Sequence, residues 1–316
     1  MNHLTFSNGD QMPLLGLGTW KSSKGEVYSA VRTALQIGYR HFDCAAIYGN
    51  EKEIGDAIHD SMTQGEVKRE ELWITSKLWN TSHQKGQVKP ALEKTLERLD
   101  LKFLDLYLMH WPIAMQEDAP FPFTSDAFIP LEKIPLEETW KAMLECKEAG
   151  LTRHVGVANF SINKIASLID NTGSKPEVNQ IEIHPFLQQN PMVAYCKKEG
   201  IYLTAYSPLG SRDKPGNADD TPDLFTNNTI AQIAKKNNCS PAQILIKWAV
   251  ERGISVIPKS VNPDRLQQNF DSLNVHLTAE DIKQIASLDK HYRFIDGSFF
   301  TPKGSPYTLA NLWDES

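Results

Sequence analysis

Cysteine is scarce in this chain: Cys44, Cys146, Cys196 and Cys239 are the only four in 316 residues. No two are close enough for the paired spacing of a structural zinc site. Isolated thiols in a chain of this length read as reduced cysteines of a cytosolic protein, not as a disulfide framework. Basic charge is also short, with 33 Lys and Arg against 39 Asp and Glu and a formal net charge of -6. A duplex binder needs a basic stripe, so no nucleic-acid partner is expected. Like charges do not cluster into an acidic or basic tail. No stretch approaches the ~20 apolar residues of a membrane helix. The start, Met-Asn-His-Leu-Thr-Phe, lacks the basic residues and apolar run of a signal peptide. The expectation is a cytoplasmic protein with no membrane partner.

Two familiar catalytic frames are missing as well. Gly-x-Ser-x-Gly, the nucleophile turn of many hydrolases, does not occur. A Walker phosphate loop is absent. Gly16-Leu-Gly18-Thr-Trp-Lys21 begins like a dinucleotide fingerprint but has Lys where the third Gly belongs. It also precedes the first helix without a βαβ frame, so no Rossmann domain is indicated.

What is present is a regular alternation. The composition, 41% hydrophobic and 23% charged, is that of a globular chain able to build a core without staples. Asn8-Gly9-Asp10 between Leu4-Thr5-Phe6 and Met12 to Leu15 predicts a β-hairpin. Strands follow at Leu15 to Thr19, Tyr39 to Asp43, Leu72 to Lys77, Leu104 to His110, His154 to Asn159, Val178 to His184, Ile201 to Ser207 and Ile254 to Lys259. Helical patterns separate them, among them Glu26 to Ile37, Lys85 to Leu99, one helical region from Ile230 to Val250, and Pro263 to Phe270. Thr278 opens the final helix, with an acidic first turn. Mostly apolar strands alternating with helices mean a parallel sheet covered on both faces. Eight such units predict a single α/β domain over residues 1–316: a (β/α)8 TIM barrel with an N-terminal hairpin plugging one end. Two long loops, Pro112 to Pro135 and Ser207 to Asn228, and an irregular tail after His291 should gather at the C-terminal face.

Asp43, Lys77 and His110 close the second, third and fourth strands, and Tyr48 follows the second. In a barrel these ends converge on one mouth. A buried Asp43 is costly unless paired, and Lys77 is the available cation. A cation beside a phenol favours phenolate, so the Tyr48 pKa should fall, letting it act as a general acid near neutral pH. A neutral His110 could donate to the same substrate oxygen. Together these groups suit protonation of the oxyanion formed when hydride reaches a carbonyl carbon. Trp20, Trp79 and Trp111 each follow a strand, and Phe121, Phe123, Phe128, Phe299, Phe300 and Tyr307 lie in the loops. An apolar wall around a few polar groups describes a small-molecule pocket.

The segments Gly38-Tyr-Arg-His-Phe-Asp43-Cys-Ala-Ala-Ile-Tyr48-Gly-Asn-Glu51, Leu104-Asp-Leu-Tyr-Leu-Met-His110-Trp-Pro112 and Val256-Ile-Pro-Lys259-Ser260 fall in order along the chain. On these, the whole chain resembles the aldo-keto reductase superfamily, near its aldose and aldehyde reductase branch. The resemblance implies a tetrad of Asp43, Tyr48, Lys77 and His110 and NADPH bound without a Rossmann domain. It places the nicotinamide carboxamide at Asn159 and Gln180 with Tyr206 on the ring. Thr19 and Trp20 line that end, and Ser207, Leu209, Ser211 and Asp213 the pyrophosphate loop. Lys259, Ser260, Asn262 and Arg265 hold the 2′-phosphate, and Gln268 and Asn269 the adenine. Two cations and two small polar side chains at a helix start also suit a phosphate on their own account. Substrate contacts would come from Trp20, Tyr48, Trp79, His110, Trp111, Phe121 and Phe299. The expected activity is NADPH-dependent reduction of aldehydes, sugar aldehydes or ketones to alcohols, by a monomer. The alternatives are a non-catalytic NADPH-binding sensor of the same fold, which an intact tetrad weighs against, and a barrel hydrolase or aldolase using Lys77 in a Schiff base, which Asp43 weighs against by keeping that Lys charged.

Overall fold

The structure is a computed structural model, and it describes residues 2–119, 121–211 and 221–315. Strands β1 (His3–Thr5) and β2 (Gln11–Pro13) form the antiparallel hairpin. Then come β3 (Leu17–Gly18), α1 (Glu26–Ile37), β4 (His41–Asp43), α2 (Glu51–Thr63), β5 (Trp73–Leu78), α3 (Lys85–Leu99) and β6 (Leu104–Met109). Next are β7 (Ala114–Met115), β8 (Phe128–Ile129), α4 (Leu136–Glu148), β9 (Thr152–Ala158), α5 (Ile162–Thr172), β10 (Val178–Glu182), α6 (Asn190–Glu199) and β11 (Tyr202–Tyr206). The chain continues with α7 (Asn228–Lys236), α8 (Pro241–Glu251), β12 (Ser255–Val256), α9 (Pro263–Asp271), α10 (Ala279–Ala286) and α11 (Leu309–Trp313).

Strands β3, β4, β5, β6, β9, β10, β11 and β12 make one eight-stranded parallel sheet in chain order. Parallel bridges Leu15–Val256 and Gly18–Lys259 join its first and last strands, so the sheet closes on itself. This is the (β/α)8 architecture expected. Gly18 has a steric task at that seam. A Cβ there would stand 2.6 Å from the Ile257 carbonyl oxygen. The two glycines that mimic a nucleotide loop therefore lie at the seam of the barrel.

Helices cover the sheet through apolar stripes at helical spacing. Helix α1 buries Val27, Ala30, Val31, Ala34 and Leu35. It stops at Gly38, whose φ of 122° turns the chain while its N–H satisfies the Ala34 and Leu35 carbonyls. Phe6 from the hairpin region packs on Trp73, His154 and Tyr202, with ring centroids at 5.2, 4.1 and 5.0 Å. Those three lie at or near strand starts, so the hairpin plugs the N-terminal end and leaves the other end open for chemistry.

Three expectations need correction. The helical region from Ile230 to Val250 is two helices, α7 and α8. Ser240 caps α8 in a capping box with Gln243, and Pro241 opens it. The loop from Pro112 to Pro135 carries a small antiparallel sheet, β7 with β8. The tail after His291 is ordered too, with a helical turn at Ser298–Phe300 and then α11.

Candidate active site

Neighbouring strands deliver the four polar residues to one place. Asp43 ends β4, Lys77 is the next-to-last residue of β5, and His110 directly follows β6. Tyr48 closes a helical turn, Ala46–Tyr48, just past β4. The Lys77 ammonium is fully buried and donates to Asp43 Oδ2 at 2.6 Å, the Cys44 carbonyl at 2.9 Å and the Tyr48 hydroxyl at 3.2 Å. An ammonium has three N–H groups, so all are used. Because Tyr48 accepts from Lys77, its own hydrogen is free to be donated elsewhere. Burial opposes the Lys77 charge, but Asp43 and Tyr48 outweigh it and raise the pKa.

The expected fall of the Tyr48 pKa is not what the surroundings produce. Burial raises it, the Lys77 charge and hydrogen bond only partly offset this, and the result is about 12. Tyr48 therefore stays protonated across the physiological range. Burial, then the Lys77 charge and His83, push the His110 pKa well down, so the imidazole is neutral as expected. Its ring lies edge-on to Tyr48 with centroids 5.9 Å apart.

The residues expected to hold the nicotinamide interlock with this cluster. Gln180 Nε2 donates to Asp43 Oδ1 at 2.7 Å. Asn159, at a positive φ of 63°, donates to the His110 carbonyl at 2.9 Å and accepts from the Tyr206 hydroxyl at 2.8 Å. Asn159 does not cap α5; Ser161 does, accepting from the Lys164 N–H. The Thr19 hydroxyl donates to the Asp43 carbonyl at 2.8 Å. Ser207 has a φ of 46°, and Leu209 packs against the core; Ser211 follows in the same loop. Asp213 lies outside the described residues. Asn262 caps α9 by accepting from the Arg265 N–H at 3.0 Å, and Ser260 Oγ accepts from the Asn262 N–H at 3.2 Å. Lys259, Arg265 and Gln268 are exposed around that helix start, while Asn269 is buried. Among the described residues neither Lys259 nor Arg265 is engaged in an ion pair. Exposed cations at a helix N-terminus, with buried amides beside Tyr206, fit a long anionic nucleotide with a polar ring substituent.

Aromatic residues surround the mouth. Trp20, 46% exposed, lies 4.8 Å from the Tyr48 ring, and Trp79 lies 5.2 Å from His110. Trp111 meets Phe299 edge-on at 5.9 Å, and Phe121 is the most exposed large apolar residue among the described residues, at 77%. Phe128, Phe300 and Tyr307 are more deeply buried than Phe121, Phe123 and Phe299. They are buried in a second apolar cluster behind Trp111, where the Tyr307 hydroxyl donates to the Ile129 carbonyl and accepts from the Ala114 N–H. Sequence reasoning also missed Glu182. This buried carboxylate accepts from His184 Nε2 at 2.8 Å and from the Phe294 and Ile295 N–H groups at 2.6 and 2.8 Å, tying the tail to β10. A Glu and a His two residues apart at a strand end were the available signal.

Residues 14–290 match the aldo/keto reductase family. The chain is 51% identical to an aldo/keto reductase, slr0942, of Synechocystis sp., with 100% of this chain and 97% of that protein aligned. It is 47% identical to aldo-keto reductase family 1 member A1 of Sus scrofa and 46% identical to that of Homo sapiens, each over 91% of this chain and 89% of the relative. Members of this family generally use NADP(H) to reduce carbonyl groups on small molecules. The chain belongs to the aldo/keto reductase family and is an NADP-dependent oxidoreductase acting on carbonyl compounds.

Proposed function

We propose that the protein reduces aldehydes to alcohols with NADPH and that Tyr48 is the proton donor. The observation that carries this is the triple engagement of Lys77, whose third N–H is accepted by the Tyr48 oxygen and so leaves the Tyr48 O–H able to donate to a substrate oxygen. A bound NADPH would supply the hydride. Tyr48 and neutral His110 donate hydrogen bonds to the carbonyl oxygen and hold it in the mouth. As the carbon gains hydride, the C=O π bond becomes an O–H bond and Tyr48 loses its proton. The phenolate so formed faces the Lys77 ammonium 3.2 Å away, and solvent returns the proton. A pKa near 12 does not hinder this, because an alkoxide is a far stronger base than a phenolate. Asp43 holds Lys77 in place and charged.

Asn159, Gln180, Tyr206, Thr19 and Trp20 would hold the nicotinamide end, and Ser207, Leu209, Ser211 and Asp213 the pyrophosphate. Lys259, Ser260, Asn262, Arg265, Gln268 and Asn269 would hold the adenosine 2′-phosphate end. Trp20, Trp79, Trp111, Phe121 and Phe299 favour aliphatic and aromatic aldehydes, with sugar aldehydes and ketones as further candidates. All four polar residues come from one chain, which supports a working monomer. A Schiff-base role for Lys77 is disfavoured, since its pKa is raised and its donors are all engaged.

Nicotinamide absorbance across a panel of aldehydes and sugars tests the reading. Tyr48→Phe should abolish turnover and leave NADPH binding, read by protein fluorescence, intact. A wild type that binds NADPH but reduces nothing on the panel would overturn it in favour of a sensor.

A further inference from the structure

A buried charge that the proton transfer does not use lies between the barrel wall and its helices. Glu51 is the first residue of α2 and is only 1% exposed. Its Oε1 accepts from the Ser76 hydroxyl at 2.6 Å. Its Oε2 accepts from Arg98 Nε at 2.7 Å and from the Thr95 hydroxyl at 3.4 Å, with a second Arg98 nitrogen at 2.6 Å. Thr95 and Arg98 belong to α3. Gly55, one turn along α2 from Glu51, lets the two helices come this close: a Cβ there would stand 2.6 Å from the Leu99 carbonyl oxygen. A buried carboxylate is costly, and both oxygens of this one are paired.

The Ser76 bond reaches the reacting groups through the strand. Successive side chains of β5 leave opposite faces. Lys77 therefore meets Asp43 and Tyr48 inside the barrel, while Ser76 meets Glu51 on the helix side. The contacts close a circuit. Tyr48 accepts from Lys77, Lys77 follows Ser76 in the chain, Ser76 donates to Glu51, and Asn50 and Gly49 lead back to Tyr48. The turn that carries Tyr48 is not packed into the core: Ile47 is 42% exposed, and Gly49 is exposed with a φ of 69°. Its position depends on its ends. Glu51 fixes the outgoing end against β5. Asn50 donates to the Thr19 carbonyl at 2.9 Å, and Thr19 donates to the Asp43 carbonyl.

We propose that Glu51 is a positioning residue for the proton transfer: by gripping Ser76 it holds the Tyr48 turn at its working distance from Lys77. Arg98 has a different task, which is to neutralise the buried carboxylate and join α2 to α3. Cutting the Ser76 bond loosens Tyr48 against Lys77, whereas cutting the Arg98 bond weakens the fold and leaves the circuit closed. This rests on the reading of Tyr48 as the proton donor.

The test compares Ser76→Ala, Arg98→Met and Glu51→Ala with wild type, below the melting point of each. Ser76→Ala should lower kcat for aldehyde reduction about tenfold, since a misplacement of about 1 Å can cost roughly 10²-fold. Its NADPH affinity, read by protein fluorescence, should hold, and the solvent deuterium isotope effect on kcat should rise as the proton step becomes more limiting. Arg98→Met should show the reverse: a larger fall in Tm than Ser76→Ala, with kcat within about twofold of wild type. Glu51→Ala removes both bonds and should combine the two losses. A carboxylate that serves only the fold would give kcat losses that follow the Tm losses, with the isotope effect unchanged. That pattern, or wild-type kcat in Ser76→Ala, overturns the proposal. Tyr48→Phe that still reduces aldehydes refutes the proton-donor reading instead, so the two failures are distinguishable.

Discussion

Replacing Lys77 with methionine separates what this residue does for the fold from what it does for the reaction. Lys77→Met keeps the length and volume of the stem and removes the ammonium. The Asp43 carboxylate, buried and 2.6 Å from Lys77, then retains the Gln180 amide at 2.7 Å but no ion-pair partner. Removing one member of a buried ion pair costs about 3–5 kcal/mol. For a chain of 316 residues that corresponds to a fall in Tm of about 5–8 °C. The catalytic loss has a different origin. At 3.2 Å and an effective dielectric of 20, the ammonium favours phenolate over phenol by about 5 kcal/mol, or a factor of 10³–10⁴. That matches the about 10²–10⁴-fold contribution of a general acid. Asp43→Asn combined with Lys77→Met removes the stranded charge. The double variant should regain at least half of the lost Tm, measured by calorimetry, while kcat stays as low as in the single variant. The reasoning fails if Lys77→Met retains more than a tenth of wild-type kcat. It fails equally if the double variant melts no higher than the single one.

Removing the Arg265 side chain should raise KM for NADPH about tenfold or more and leave KM for NADH nearly unchanged, because a lost charge-assisted bond to phosphate affects only the phosphorylated cofactor. Equal changes for both would place the 2′-phosphate elsewhere. Acid stability follows from three buried imidazoles. Burial lowers the pKa of His41 to about 4 and of His83 to about 3, and that of His110 well below its ordinary value of 6.5. A histidine with a depressed pKa binds fewer protons folded than unfolded. Its contribution is complete above pH about 6.5 and is lost as pH falls toward the folded value, by about 1.4 kcal/mol per unit for each group. Tm should therefore decline between pH about 6.5 and 4, and His83→Gln should make the decline shallower; an acid limb of unchanged slope would refute the assignment to His83.

Much of the barrel was legible in the chain because its signals are local. Apolar strands alternating with striped helices state the period of each element, and eight repeats state the topology. The Lys85–Leu99 helix runs as the apolar spacing implied. The break between α7 and α8 could have been read from Ser240-Pro241-x-Gln243, but the apolar pattern on either side masked it. The four polar residues were visible at strand ends because a barrel converts position along a strand into position at the mouth.

The sequence by itself determined which groups meet: a carboxylate, an ammonium, a phenol and an imidazole at consecutive strand ends. The direction of the Tyr48 shift belonged to the tertiary structure. The effect of a neighbouring cation can be anticipated from charge alone, but desolvation depends on every atom packed around the ring, and here it prevails. Tertiary structure likewise decided that Phe300 and Tyr307 form a buried support and that Trp313 backs Trp111, since contacts between segments far apart in sequence leave no local period to read.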